Sequence, residues 1–244
     1  MGSKNKLKRF KENQTFKNVI QPERALLEKD AFVLKGHWHE KYFKNDRPIV
    51  LELGCGKGEY TLHLATLNPE KNFIGIDIKG ARFWSGAKTA LEEKRENIAF
   101  VRAQIELIDT LFAADEVAEI WITFPDPQLR ISRAKKRLTH PKFLRLYQQI
   151  LSAGGLVHLK TDSPDLYQFT LLVIQLYGLT LVEQSDNIYA QSHIKPELCI
   201  KTHYEGLDIA QSNRIHYLCF RLDKELLLET DTILKSHLHE PATD

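Results

Sequence analysis

Cysteine is scarce in this chain and odd in number: Cys55, Cys199 and Cys219 are the only three, none in a CxxC and none set beside a histidine at metal-ligand spacing. That excludes a disulfide scaffold and a zinc ribbon, and a reducing cytoplasm is the expected compartment. An excess of one charge is missing too. Lys and Arg number 34 against 32 Asp and Glu, so net charge argues for no polyanionic partner and only the placement of charges can. No apolar run approaches the roughly eighteen residues of a membrane span. There is no signal-peptide pattern, and Lys6 stands where a myristoylation motif wants Ser or Thr. The expectation is an unanchored protein. The ten histidines are scattered without a metal constellation, so no catalytic metal is expected.

What is present reads as one α/β domain with extensions. Residues 1–22 open with Lys4, Lys6, Lys8, Arg9 and Lys11 and have little to bury, which predicts a flexible basic arm able to reach an RNA backbone. The domain is expected over residues 23–223. From Pro48 on, short apolar runs (Ile49 to Leu53, Asn72 to Asp77, Ile98 to Arg102, Val117 to Thr123, Leu156 to Lys160) alternate with helical stretches (Tyr60 to Leu67, Ala81 to Lys94, Pro141 to Leu151). That rhythm predicts a doubly wound, mostly parallel sheet. Leu179 to Glu183 and Ile215 to Leu222, separated by a long polar stretch, add an antiparallel pair and bring the strands to seven. Residues 224–244, around Leu226-Leu227-Leu228, read as a short helix or a frayed tail with no assigned chemistry.

The segment Glu52-Leu53-Gly54-Cys55-Gly56-Lys57-Gly58 runs a strand into three alternate glycines, so the backbone can turn sharply and a ligand can approach it without meeting Cβ atoms. A dinucleotide fingerprint needs glycine at the next position of its pattern, where Glu59 stands, a charge ill placed beside a pyrophosphate. S-adenosylmethionine carries no phosphate, and carboxylates near the turn suit its ribose, adenine and cationic amino-acid end. Glu52 and Asp77 are the candidates. Asp77 ends the second strand, where it can accept from both ribose hydroxyls or, alternatively, cap the next helix. At the end of the fourth strand, Phe124-Pro125-Asp126-Pro127 sets one carboxylate between two stiffening prolines. Arg130, Arg133, Lys135, Lys136 and Arg137 follow, a cationic loop over the same edge that could neutralise several phosphates.

The glycine turn with its strand-end acid resembles the class I methyltransferases, whose fold is Rossmann-like. Phe124-Pro125-Asp126-Pro127, Lys136-Arg137-Leu138, Pro141 with Phe143-Leu144, Thr161-Asp162, and Thr202-His203-Tyr204-Glu205 with Gly206 narrow this. The chain is similar to the bacterial tRNA (guanine-N7)-methyltransferase family over most of its length. The resemblance implies methylation of a tRNA guanine at N7, in the variable loop, with S-adenosylmethionine as cofactor and tRNA as partner. Position by position it implies cofactor contacts at Glu52, Asp77, Gln104 and Asp126 beside the turn glycines Gly54, Gly56 and Gly58. It implies substrate contacts at Arg130, Asp162, Thr202, His203, Tyr204 and Glu205, and RNA contacts at Ser132, Arg133, Ala134, Lys135, Lys136 and Arg137.

This chain departs from the family at three places. Gln128 replaces a usual Trp, Arg130 a usual Lys, and Gln104 a frequent acid whose hydrogen-bonding capacity an amide retains. Guanine N7 already bears a lone pair, so the chemistry needs alignment more than a base. Asp126 and Asp162 are the expected catalytic pair, accepting hydrogen bonds from the base's N1 and N2 as charge develops. Three alternatives stay open: a methyltransferase for a small molecule or protein, a non-catalytic RNA-binding protein, and a nicotinamide-dependent oxidoreductase. Oligomeric state is not legible.

Overall fold

A computed structural model describes residues 3–202, Glu205 and residues 214–238. The chain runs α1 (Ser3–Asn13), β1 (Val19–Ile20), α2 (Arg24–Glu28), β2 (Ile49–Leu53), α3 (Glu59–Leu67), β3 (Asn72–Ile76), α4 (Gly80–Glu92) and β4 (Ile98–Val101). It continues through α5 (Ile108–Leu111), β5 (Val117–Thr123), α6 (Pro141–Gln148), β6 (Leu151–Thr161), α7 (Pro164–Leu176), β7 (Thr180–Ser185), β8 (His216–Arg221) and α8 (Thr230–His237). The strands form one sheet in the order β1-β4-β3-β2-β5-β6-β8-β7. All neighbours from β1 through β6 are parallel, and β8 runs antiparallel to both β6 and β7.

Every residue of β2 and of β3 is buried, as expected of central strands covered on both faces by crossover helices. Two helices are started by local chemistry. The His140 imidazole accepts from Lys142 N before Pro141 opens α6, and Ser163 Oγ accepts from Leu166 N before Pro164 opens α7. The cap of α7 thus falls to Ser163, which leaves Asp162 to the sheet edge. The strand order reverses between β2 and β5, so the crevice beyond their carboxyl ends is the topological switch point where such sheets bind ligands.

The doubly wound sheet is as expected, with three differences. There are eight strands rather than seven, because the two-residue β1 pairs in parallel with β4. Such a pair is too short to carry a periodic signal. Within residues 1–22, where a flexible arm was expected, α1 is a helix laid on α4. Asn13 Nδ2 donates to Gly80 O at 2.8 Å, Asn18 Nδ2 donates to Ala87 O at 2.9 Å, and Arg9 lies over the Trp84 ring. Lysines at Lys6, Lys8 and Lys11 still face solvent, so the segment is both basic and docked. Finally, α6 ends at Gln148 and Leu151 already belongs to β6. In the tail, Leu226 is buried and α8 is tied down by an ion pair from Arg145 to Asp231.

Candidate methyltransferase site

The glycine turn leaves β2 through three residues with positive φ, Gly54 at 74°, Gly56 at 55° and Gly58 at 76°. Gly54 N and Cys55 N both donate to Ile76 O, at 2.8 and 3.1 Å, which ties the turn to the end of β3. Gly56 N donates to Asp77 Oδ2 at 3.0 Å, and Lys79 N donates to Asp77 Oδ1 at 2.7 Å. Asp77 therefore links the turn to Lys79 ahead of α4 without capping the helix, and its carboxylate lines the crevice.

A cavity of about 940 Å³ opens here, lined by Glu52, Gly54, Gly56, Asp77, Asp126, Asp162 and Thr202 among others. That is room for a nucleoside-sized cofactor and part of a second ligand. A Cβ on Gly54 would meet nothing within 4 Å, so bare backbone faces open space, the geometry a nucleoside needs to lie against the turn. Gly58 does not line the cavity. It packs over Phe100, and its bareness serves the fit of α3 and α4 beneath the turn.

Glu52 is 3% exposed and fully engaged. Thr61 donates to Oε2 through both its backbone N, at 2.8 Å, and its hydroxyl, while Thr123 Oγ1 bonds Oε1 at 2.7 Å. The carboxyl thus pins α3 and the end of β5 to β2 at the switch point. Burial pushes its pKa up to about 7, against the opposing hydrogen bonds from Thr61 and Thr123. Between pH 4.5, the ordinary value, and pH 7 the folded chain holds a proton that the unfolded chain has released. Stability without cofactor therefore falls as pH rises through that window, by up to about 3 kcal/mol. Glu52→Gln, which can keep the Thr61 and Thr123 contacts without ionising, is expected to flatten that fall. Urea unfolding at pH 5 and pH 8 checks it, and equal pH slopes in both proteins would rule it out. The same burial, with Glu52 and Asp77 nearby, raises the Cys55 thiol well above its ordinary range, so Cys55 is a packing residue of the turn.

The loop after β5 is held in an unusual shape. Phe124 and Gln128 both have φ of 47°, a region that costs a non-glycine residue about 1–2 kcal/mol. The loop keeps this shape because Phe124 N donates to Lys160 O at 2.8 Å, Gln128 N donates to Asp126 Oδ1 at 3.0 Å, and Arg137 Nε donates to Pro127 O at 3.1 Å. Arg137 also donates from Nη2 to Gln128 O at 3.2 Å and lies over the Phe169 ring.

Several residues expected from the sequence do not sit where they were expected. Arg137, anticipated on RNA, is 5% exposed and spent on the Asp126 loop, and Ala134 is buried as well. Ser132, Arg133, Lys135 and Lys136 are exposed on the short helical turn Ile131–Lys136, with Lys136 at the cavity wall. Gln104 is exposed and off the cavity, where its neighbour Ile105 stands instead. Arg130 is exposed beyond the rim. Thr202 lines the cavity, Glu205 is turned into the protein, and His203 and Tyr204 lie outside the described residues. Sequence reasoning passed over Lys160, although a lysine closing the strand run Leu156-Val157-His158-Leu159 just before Thr161-Asp162 is a visible anomaly.

Solved structures share this architecture. The 16S rRNA methyltransferase KamB superposes with a TM-score of 0.56 at 15% identity over 74% of this chain and 90% of its own. A 16S rRNA (adenine(1408)-N(1))-methyltransferase from Catenulisporales acidiphilia gives 0.53 at 14% identity over the same shares. The fold is that of the class I methyltransferases, and residues 46–218 match the family described as "Putative methyltransferase". A tRNA (guanine-N(7)-)-methyltransferase of Christiangramia forsetii is 55% identical over 91% of this chain and 100% of its own length. Its counterparts from Porphyromonas gingivalis and Bacteroides fragilis are 50% identical over 86% of both chains and 43% identical over 91% and 87%. The chain belongs to the tRNA (guanine-N7)-methyltransferase family.

Proposed function

We propose that this protein transfers a methyl group from S-adenosylmethionine to N7 of a guanine in tRNA, in the variable loop. The observation that carries the reading is one cavity that joins the bare glycine turn to Asp126 and Asp162 at the switch point, in a chain of this family. When bound, S-adenosylmethionine supplies an electrophilic methyl on its sulfonium. Gly54, Gly56 and Asp77 hold the nucleoside half, and the carboxylates of Asp126 and Asp162 orient the guanine through its N1 and N2 protons. Because N7 needs no deprotonation, alignment and charge stabilisation are what these side chains contribute.

Phosphates are held by the exposed cations of the turn Ile131–Lys136 and by the solvent-facing lysines of α1. Replacing Arg133, Lys135 or Lys136 by Ala is expected to lower the slope of log affinity against log salt by about 1 for each phosphate left without its cation. Arg137→Met should leave that slope unchanged, because its guanidinium is buried against its own chain. Titrations of tRNA between low and physiological salt distinguish the two. The reading as a whole is tested by transfer of labelled methyl from S-adenosylmethionine to unmodified tRNA transcript, then aniline cleavage after mild reduction to locate N7-methylguanine. Incorporation at one guanine supports it. Binding of both cofactor and tRNA without incorporation would point to an RNA-binding role, and cofactor binding without tRNA binding to another methyl acceptor.

A further inference from the structure

Lys160 is the penultimate residue of β6, two positions before Asp162, and its side chain is fully buried. A buried ammonium survives only where its protons are matched, and here all three are. Nζ donates to Leu198 O at 2.9 Å, to Ile200 O at 2.7 Å and to Glu205 Oε2 at 2.9 Å. The rings of Tyr60 and Phe124 lie 5.4 and 5.5 Å from it. Burial pulls its pKa below the ordinary lysine range, and Glu205 opposes that pull.

Glu205 is committed in the same way. Its side chain is 6% exposed, its second oxygen accepts from the Tyr189 hydroxyl, and its backbone N donates to Thr202 Oγ1 at 3.2 Å. The family resemblance would put Glu205 on the guanine, but both of its carboxylate oxygens point to other partners. Thr202, between the two anchored stretches, is the residue that reaches the cavity wall. Tyr60 adds a third tie, its hydroxyl donating to Glu197 O at 2.6 Å.

We propose that Lys160 and Glu205 form a buried strap that fixes residues 196–202 against the carboxyl edge of β6, so that Glu205 acts as a positioning residue and Thr202 is presented to the substrate. Because Lys160 O also accepts from Phe124 N, one residue anchors both the Asp126 loop and the Thr202 segment. The two walls of the substrate pocket are then set by a single strand end. This inference rests on the proposed function for its catalytic readout but not for its structural one.

The test compares the full-length protein with Lys160→Met, Glu205→Gln and the double variant. Hydrogen exchange is expected to speed up in Lys160→Met at the amides of residues 197–200, with the central strands unchanged. Methyl transfer to tRNA, measured as kcat/KM, should fall by up to about 100-fold, since a displaced positioning element can cost that much. Cofactor affinity should stay within about threefold, well under 1 kcal/mol. The double variant should be no slower than the slower single one, because Glu205 works through Lys160. Full additivity of the two losses would put Glu205 on the substrate and overturn the inference, as would unchanged exchange in residues 197–200. Should Lys160→Met not fold, Tyr189→Phe at the exposed rim removes only the hydroxyl on Glu205. It is expected to lower kcat/KM several-fold with cofactor affinity unmoved, and an unchanged kcat/KM would count against the strap. A wild-type protein that methylates no tRNA would defeat the proposed function and leave the exchange experiment to decide the strap.

Discussion

Asp126→Ala is expected to slow single-turnover methyl transfer by roughly 10² to 10³, the usual cost of removing one preorganised partner of a charge that develops in the transition state. The side chain is exposed at the cavity mouth. Oδ1 accepts from Gln128 N, while Oδ2 has no hydrogen-bond partner among the described residues and is placed to accept from a ligand. The backbone on both sides is held in strained conformations by Lys160 and Arg137, so the carboxylate is positioned before substrate arrives. That preorganisation is what makes the bond worth more in the transition state than in water. Asp126→Asn separates the two jobs of the residue. It keeps the acceptor for Gln128 N but loses the charge, so it should preserve the loop and still lose most of the rate. Rapid-quench transfer with saturating cofactor and tRNA measures this. A rate within a few-fold of wild type in both variants would remove Asp126 from the chemistry. A loss confined to cofactor affinity would make it a cofactor ligand alone.

Gly58→Ala is expected to destabilise the fold by about 2–5 kcal/mol, the sum of overpacking and a left-handed conformation for a residue with a Cβ. A methyl group there would lie 2.5 Å from Phe100 Cε1 and 2.8 Å from Phe100 Cζ at a φ of 76°. Phe100 is fully buried and stacked on Phe83, so it cannot give way without moving β4 or α4. Gly54→Ala is the contrast. Its Cβ would meet nothing within 4 Å, so it should cost only the conformational penalty of about 1–2 kcal/mol while projecting into the space for the nucleoside. Urea unfolding with cofactor titration distinguishes the pair. Equal stability of the two variants would show that the packing of Gly58 on Phe100 is not what demands glycine.

Much of this architecture is local and therefore legible from the residues alone. Continuous apolar runs such as Ile49 to Leu53 announce strands buried on both faces, and alternate glycines after such a run announce a turn that a ligand can approach. Acids at strand ends, Asp77, Asp126 and Asp162, fall at the carboxyl edge whatever the details of packing, because parallel strands all end there. The sequence by itself thus determined the sheet, the edge and the family. Only the tertiary structure decided which side chains face the cavity. Arg137 and Lys136 are neighbours in one cationic run, yet one is buried under the Asp126 loop and the other lines the site. Glu52 is taken up by Thr61 and Thr123, the latter 71 residues away, and Glu205 by Lys160 across 45. The segment carrying α1 gains its place from contacts of Asn13 to Gly80 and of Asn18 to Ala87 that no periodicity in residues 1–22 could announce. The direction of a loop side chain and the partner of a buried charge are set by groups brought together only when the sheet closes, and a linear pattern carries no record of that pairing.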